Sequence, residues 1–159
     1  MSYSPQNIRN ICLLGHGGNG KTTLVESFLS LTGGSDRMGR TSEGNTVCDY
    51  DPEEIKRQIS ISAAVAPVEY NGCKINVLDT SGHPDFIGDT LATMQAAEMA
   101  LFVVDAVDGP QVMTTKLWRE AEDMRLSRAV YINHIDRENA NFDAAMALLH
   151  ARFGGRLGA

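Results

Sequence analysis

Gly15-His16-Gly17-Gly18-Asn19-Gly20-Lys21-Thr22 is the stretch on which the reading of this chain turns. It follows an apolar run, Ile8 to Leu14, that reads as a strand. It precedes a segment carrying Leu24, Val25, Phe28 and Leu29 at helical spacing. A glycine-rich turn between strand and helix lets backbone N–H groups converge on phosphate oxygens, and the helix N-terminus adds partial positive charge. In that context the pattern predicts a phosphate cradle over Gly15 to Thr23. Lys21 is expected to bridge the β- and γ-phosphates of a nucleotide, and Thr22 to offer its hydroxyl to Mg2+.

Working outward, residues 33–58 have few apolar positions and many turn formers, and read as a long surface loop of the functional kind. Ile59 to Tyr70 and Cys73 to Leu78 read as two strands joined by the hairpin turn Asn71-Gly72. A helix from Pro84 to Glu98, a strand from Ala100 to Asp105, a helix from Gln111 to Met124 and a strand from Arg128 to Ile132 follow. A last helix carries Phe142, Ala145, Met146, Leu149 and Phe153. Strands alternating with helices predict an α/β fold of the P-loop NTPase class. This is a three-layer sandwich whose mostly parallel sheet has one antiparallel strand, supplied by the hairpin. Residues 1–159 read as one domain. Gly154 to Ala159 reads as a turn leading onward, so the chain is expected to be the N-terminal part of something longer.

The composition, 43% hydrophobic and 21% charged, is that of a globular domain. No apolar stretch is long enough for a membrane span and the N-terminus lacks a signal-peptide pattern, so a cytoplasmic monomer without a membrane partner is expected. A net charge of −6 argues against a broad basic face for DNA and confines any RNA contact to a small area. Arg37, Arg40, Lys56 and Arg57 form the nearest thing to a cationic cluster. Cys12, Cys48 and Cys73 lack metal or disulfide spacing and read as free thiols in or near the core.

Two further motifs sit where open α/β sheets carry their ligand loops, at the C-terminal ends of strands. In Asp79-Thr80-Ser81-Gly82 the carboxylate is placed to act on Mg2+, and the Gly82 N–H to sense the γ-phosphate. In Asn133-His134-Ile135-Asp136 the Asp136 carboxylate can accept from the N1–H and N2 amine of guanine, a donor pair adenine lacks. Asn133 would brace the loop.

GHGGNGKT, DTSGH and NHID in that order resemble the GTP-binding domain of translational GTPases, elongation factor G and its relatives above all. Asp49 to Ile61 and Val103 to Gly109 extend the likeness over nearly the whole chain. The resemblance implies GTP or GDP as ligand, Mg2+, hydrolysis stimulated by the ribosome, and contact with large-subunit RNA. It also implies that the loop before the hairpin is a switch whose hydroxyl, here Ser60, joins Mg2+ with Thr22 and Asp79. His83 would position the attacking water, making His83 and Lys21 the catalytic pair. The nucleotide would touch Gly15, His16, Gly17, Gly18, Asn19, Gly20, Lys21, Thr22, Thr23, Gly82, Asn133, His134 and Asp136.

The chain departs from that family's pattern at several points. His134 stands where lysine is usual, so an imidazole replaces the aliphatic stem along the guanine plane. Gly17 and Gly18 replace an apolar residue and an aspartate, which removes one half of an apolar gate whose other half is Ile59. Ser60 replaces threonine, Ser81 replaces proline, and the family's fifth guanine-contacting loop falls beyond residue 159. These departures keep open a ribosome-binding module with little hydrolysis. A ribosomal protection protein of the tetracycline-resistance type shares the motifs, and an adenine-nucleotide phosphotransferase is opposed by Asp136.

Overall fold

The computed structural model describes residues 3–154. The turn expected over 154–159 therefore lies almost wholly outside the described residues. At the centre is β1 (Ile8–Leu14), parallel to β3 (Cys73–Asp79) on one side and to β4 (Met99–Asp105) on the other. β5 (Ser127–Asn133) adds in parallel to β4, and β2 (Ala64–Tyr70) pairs antiparallel with β3, giving the order β2-β3-β1-β4-β5. The antiparallel pair exists because Asn71 and Gly72 both take positive φ, 48° and 76°, the backbone of a two-residue hairpin turn.

Alternation along the strands divides two cores. Cys12, Leu14, Leu78, Phe102 and Val104 face Met94 of α3 (Ile87–Met94), Met113, Leu117 and Trp118 of α4 (Val112–Asp123), and Leu149 of α5 (Phe142–Phe153). Their neighbours Leu13, Val77 and Val103 face Leu24, Val25 and Leu29 of α1 (Lys21–Thr32) on the other side. A sheet buried on both faces needs apolar residues at consecutive positions, which is why the second half of β1, Ile11 to Leu14, and most of β4 read as continuous apolar runs. The result is the three-layer α/β sandwich expected. Trp118 anchors the first core, stacked on Phe153 at 4.3 Å and tilted against Phe102 at 4.8 Å between ring centroids.

Three expectations about elements need correction. The segment 33–58 is not a plain surface loop: Thr46, Cys48, Asp49 and Glu54 are buried, and it contains α2 (Pro52–Arg57). Polar side chains reach inside to satisfy its backbone, a pattern invisible to apolar periodicity. Glu26 of α1 accepts from the N–H groups of Gly39 (2.7 Å) and Val47 (2.6 Å), while Asp51 and Glu54 cap α2 reciprocally. The strand expected from Ile59 begins only at Ala64. The Ile61 and Ser62 N–H groups donate to Glu54 Oε1 and that of Ala63 to Asp89, so none is free to join the sheet. The helix expected over 84–98 is a 3-10 turn, Pro84–Phe86, followed by α3, which ends at Met94. Its last turns tighten to three-residue hydrogen bonds, and the Glu98 N–H donates to Asn10 as β4 starts.

Cys12 and Cys48 are buried free thiols and Cys73 is half-buried. Burial pushes the Cys12 thiol up to about 12, leaving it unreactive. Arg40, Lys56 and Arg57 pair at the surface with Glu43 and Glu53 instead of forming a bare cationic cluster. No helix of the described residues is long and apolar enough to cross a membrane.

Candidate functional site

The chain leaves β1 where its neighbours on the two sides belong to different crossovers, the crevice position of open α/β sheets. Gly15 there has φ +145°, and a Cβ would lie 2.4 Å from the Val103 carbonyl oxygen, so the turn into α1 can pass only without a side chain. Asn19 fixes the loop by donating to the same carbonyl at 3.0 Å.

Lys21, at the start of α1, is 6% exposed. Its ammonium donates to the carbonyls of His16 (3.0 Å) and Gly15 (3.4 Å). Burial lowers its pKa to about 8, with the charges of Asp79 and Asp49 resisting the fall. Beside it the Thr22 hydroxyl donates to Asp79 Oδ2 at 2.7 Å and lies 3.1 Å from Ser60 Oγ. Ser60 in turn donates to Asp49 Oδ1 at 2.7 Å. Asp79 is 1% exposed, and burial raises its carboxyl to about 6 against the opposing pull of Thr22 and Lys21. Asp49 is raised too, again chiefly by burial.

One oxygen of each carboxylate, Asp79 Oδ1 and Asp49 Oδ2, is buried with no hydrogen-bond partner. Orphaned carboxylate oxygens are costly, and two of them beside two hydroxyls form a set of hard oxygen donors suited to Mg2+. Asp49, Thr22 and Ser60 open onto a cavity of about 270 Å3, lined also by Lys21, Ile59, His83 and His134, while Asp79 lies behind Thr22 and does not line it.

Gly82 closes one side of the cavity. The Gly17 N–H donates to its carbonyl at 3.1 Å, so this oxygen, not the Gly82 N–H, meets the phosphate loop here. A Cβ on Gly82 would lie 2.4 Å from Gly17 N and 2.5 Å from Lys21 Nζ. Gly82→Ala is therefore expected to push the two loops apart and weaken nucleotide binding about tenfold or more, a loss of about 1.4 kcal/mol. Equilibrium titration of GDP checks it, and an unchanged affinity would show that the two loops need not approach.

His83 borders the cavity, but its side chain is 48% exposed and its Nδ1 lies 3.5 Å from Asp85. His16 Nδ1 is buried without a partner. Asn133 at the end of β5 donates to the Asn19 carbonyl at 2.8 Å, tying the base loop to the phosphate loop. His134 follows with φ +59°. Asp136 stands exposed and does not line the cavity.

The structure thus brings Gly17, Gly18, Gly20, Lys21, Thr22, Thr23, Ser60, Gly82, His83 and His134 around one space; Gly15, His16, Asn19, Asp79 and Asn133 do not line it, and Asp136 stands exposed outside it. Sequence reasoning missed Asp49, which lines the same cavity, and Asp105, whose carboxylate holds His134. Both lay in stretches that carried the family resemblance, but nothing in their spacing gave either one a role.

The chain matches the model of the elongation factor Tu GTP binding domain over residues 6–156. It is 40% identical over 96% of its length to the elongation factor G-like protein of Mycobacterium tuberculosis, and 36% identical over 89% to the mitochondrial ribosome-releasing factor 2 of Debaryomyces hansenii. It spans 21% of the first of these and 16% of the second. A crystal structure of a Thermus thermophilus protein superposes with a TM-score of 0.90 at 37% identity, covering 92% of this chain and 22% of that one. With the order of its sheet, its glycine-rich loop at the β1 crevice and this match over nearly all its residues, the chain belongs to the elongation factor Tu GTP binding domain family.

Proposed function

We infer that this chain, residues 1–159, is the guanine-nucleotide domain of a translation factor of the elongation factor G kind, and that it hydrolyses GTP when ribosome-bound. The observation that carries the reading is the hydrogen-bonded set of Thr22, Ser60 and Asp79 beside the buried Lys21, contributed by the phosphate loop, the 33–63 loop and the end of β3, with Lys21, Thr22 and Ser60 lining one cavity and Asp79 buried directly behind Thr22. Isolated, the set is unfavourable, since it buries a cation and carboxylate oxygens without full partners. A triphosphate and a divalent cation would supply those partners.

In this reading the N–H groups of the 15–23 loop and the Lys21 ammonium bind the β- and γ-phosphates. Thr22, Ser60 and Asp79 would hold Mg2+, which when bound neutralises charge on the phosphate oxygens. Asp136, on the exposed loop after β5, would accept from guanine N1–H and N2, and Asn133 keeps that loop tied to the phosphates. His83 orients water for in-line attack on the γ-phosphorus, and the γ-phosphate leaves on cleavage of its bond to the bridging oxygen. Loss of that phosphate would change the partners of Ser60 and Gly82, returning them to the contacts with Asp49 and the Gly17 N–H, and with them move the loops that signal to the rest of the protein.

The exposed position of the His83 ring, turned towards Asp85, implies that it must swing inward before it can act. Ordering by a bound partner would provide that swing. His83→Ala in the full-length protein is expected to lower ribosome-stimulated GTP turnover by about a hundredfold or more while GDP affinity stays the same. Equal turnover in variant and parent would remove His83 from catalysis. Slow turnover in the parent itself would favour the second reading, a ribosome-binding module that signals by its bound nucleotide.

A further inference from the structure

The base loop contains a polar cluster that the roles above leave unused. Asp105, at the end of β4, has a side chain only 2% exposed, and both of its oxygens are engaged. Oδ1 accepts from the N–H groups of Val107 (2.8 Å) and Asp108 (3.3 Å). Oδ2 accepts from Arg137 Nη1 at 2.8 Å and lies 2.6 Å from His134 Nδ1. Loss of solvent around it pushes this carboxyl upward. The His134 ring, the two backbone N–H groups and the Arg137 guanidinium outweigh it, so Asp105 titrates below the ordinary carboxylate range.

An ionised carboxylate can only accept, so the short contact places a proton on His134 Nδ1 and turns Nε2 and the ring faces away from Asp105. His134 lines the nucleotide cavity, and its Nε2 is 3.3 Å from where a Cβ on Gly20 would sit. One end of the imidazole is thus gripped by a buried anion and the other abuts the phosphate loop. The backbone at His134, φ +59°, is one that a side chain adopts only when its surroundings hold it there.

We propose that Asp105, with Arg137 behind it, is a positioning residue that locks the His134 imidazole as a flat platform against the face of the nucleotide base, in the place of a lysine stem. The proposal rests on the nucleotide-binding reading, but it concerns the face of the base and not the edge that distinguishes guanine. A planar ring held at one nitrogen can stack on a base without losing further freedom, whereas an ungripped imidazole would have to be ordered by the ligand. Arg137 is half-exposed and contributes charge more than placement.

The test uses the full-length protein with two probes, GDP and inorganic pyrophosphate. Asp105→Asn is expected to weaken GDP about tenfold and to leave pyrophosphate binding unchanged, because only the former has a base. His134→Ala is expected to do the same, and Asp105→Asn on top of His134→Ala to add nothing further. Equal losses for both probes, or losses that add in the double variant, would overturn the proposal in favour of a general structural role. Should Asp105→Asn fail to fold, nitrogen NMR of the parent remains decisive. A His134 ring protonated at Nδ1 agrees with the lock, and one carrying its only proton on Nε2 refutes it. If the parent binds ATP as tightly as GTP, the guanine reading fails, while the contrast between GDP and pyrophosphate still decides the platform.

Discussion

Replacing Lys21 by methionine is expected to abolish GTP hydrolysis and to weaken GDP binding by at least about a hundredfold, or 2.7 kcal/mol, without lowering the stability of the nucleotide-free protein. The ammonium is buried against the carbonyls of His16 and Gly15, dipoles that compensate only part of its lost hydration. Burial has drawn its pKa from 10.5 down to about 8. A lysine depressed in the folded state disfavours folding wherever it is charged, and that cost is complete below pH 8. Methionine has nearly the same stem and no charge, so the fold keeps its packing. Phosphate oxygens are what make the charge favourable, so the loss falls on the ligand. Isothermal titration with GDP, alongside thermal melts without nucleotide, separates the two effects. A melting temperature far below that of the parent, with binding intact, would mean that Lys21 serves the fold.

Asp79→Asn is expected to stabilise the nucleotide-free protein in the absence of Mg2+ and to remove the tightening of GDP binding by Mg2+. The Asp79 carboxyl stands at about 6 instead of 3.8 because it is buried, with Oδ1 unpartnered. A raised carboxyl binds its proton more strongly when folded. Its favourable contribution is therefore full below about pH 4, declines as pH rises through 6, and is absent at pH 7. At neutral pH the charged form costs about 3 kcal/mol by the linkage of 1.36 kcal/mol per unit. An amide keeps an oxygen for the Thr22 hydroxyl and carries no charge, so the variant should melt several degrees higher at pH 7. The gap between variant and parent should close towards pH 4. The same amide is a poor partner for a divalent cation. Melts across that pH range, and GDP titrations with and without Mg2+, check both halves. A variant less stable than its parent at pH 7, or one whose GDP affinity still responds fully to Mg2+, would contradict the place given to Asp79.

Both substitutions fall on residues that were legible from the chain alone. The order of strand, glycine-rich turn and helix needs only local information, because a backbone that must cradle phosphates has to use Gly15 and Gly20 at fixed spacing, and Lys21 and Thr22 follow by one and two positions. Apolar runs marked β1, β3, β4 and β5 within a residue or so, since each carries enough consecutive or alternating apolar residues to stand out from the loops beside it. The hairpin was legible because Asn71-Gly72 suits two consecutive positive φ angles.

What escaped local reading lies wherever a polar side chain satisfies a distant backbone group. Glu26 and Glu54 look like surface helix residues by type, yet they are 1% and 2% exposed and organise the 33–63 loop from within. Asp49 and Asp105 are in the same position: each is an acid in an otherwise ordinary stretch until the fold sets Ser60 against one and His134 against the other. His83 and Asp136 were placed by motif, but the motif cannot say that one ring faces Asp85 or that the other carboxylate stands outside the cavity. The sequence by itself determined the mostly parallel sheet with its one antiparallel strand and the phosphate loop, because both follow from periodicity and backbone conformation over neighbouring residues. Tertiary structure alone decided which buried charges meet and which stay unpartnered, because Coulomb and desolvation energies depend on distances between residues far apart in the chain.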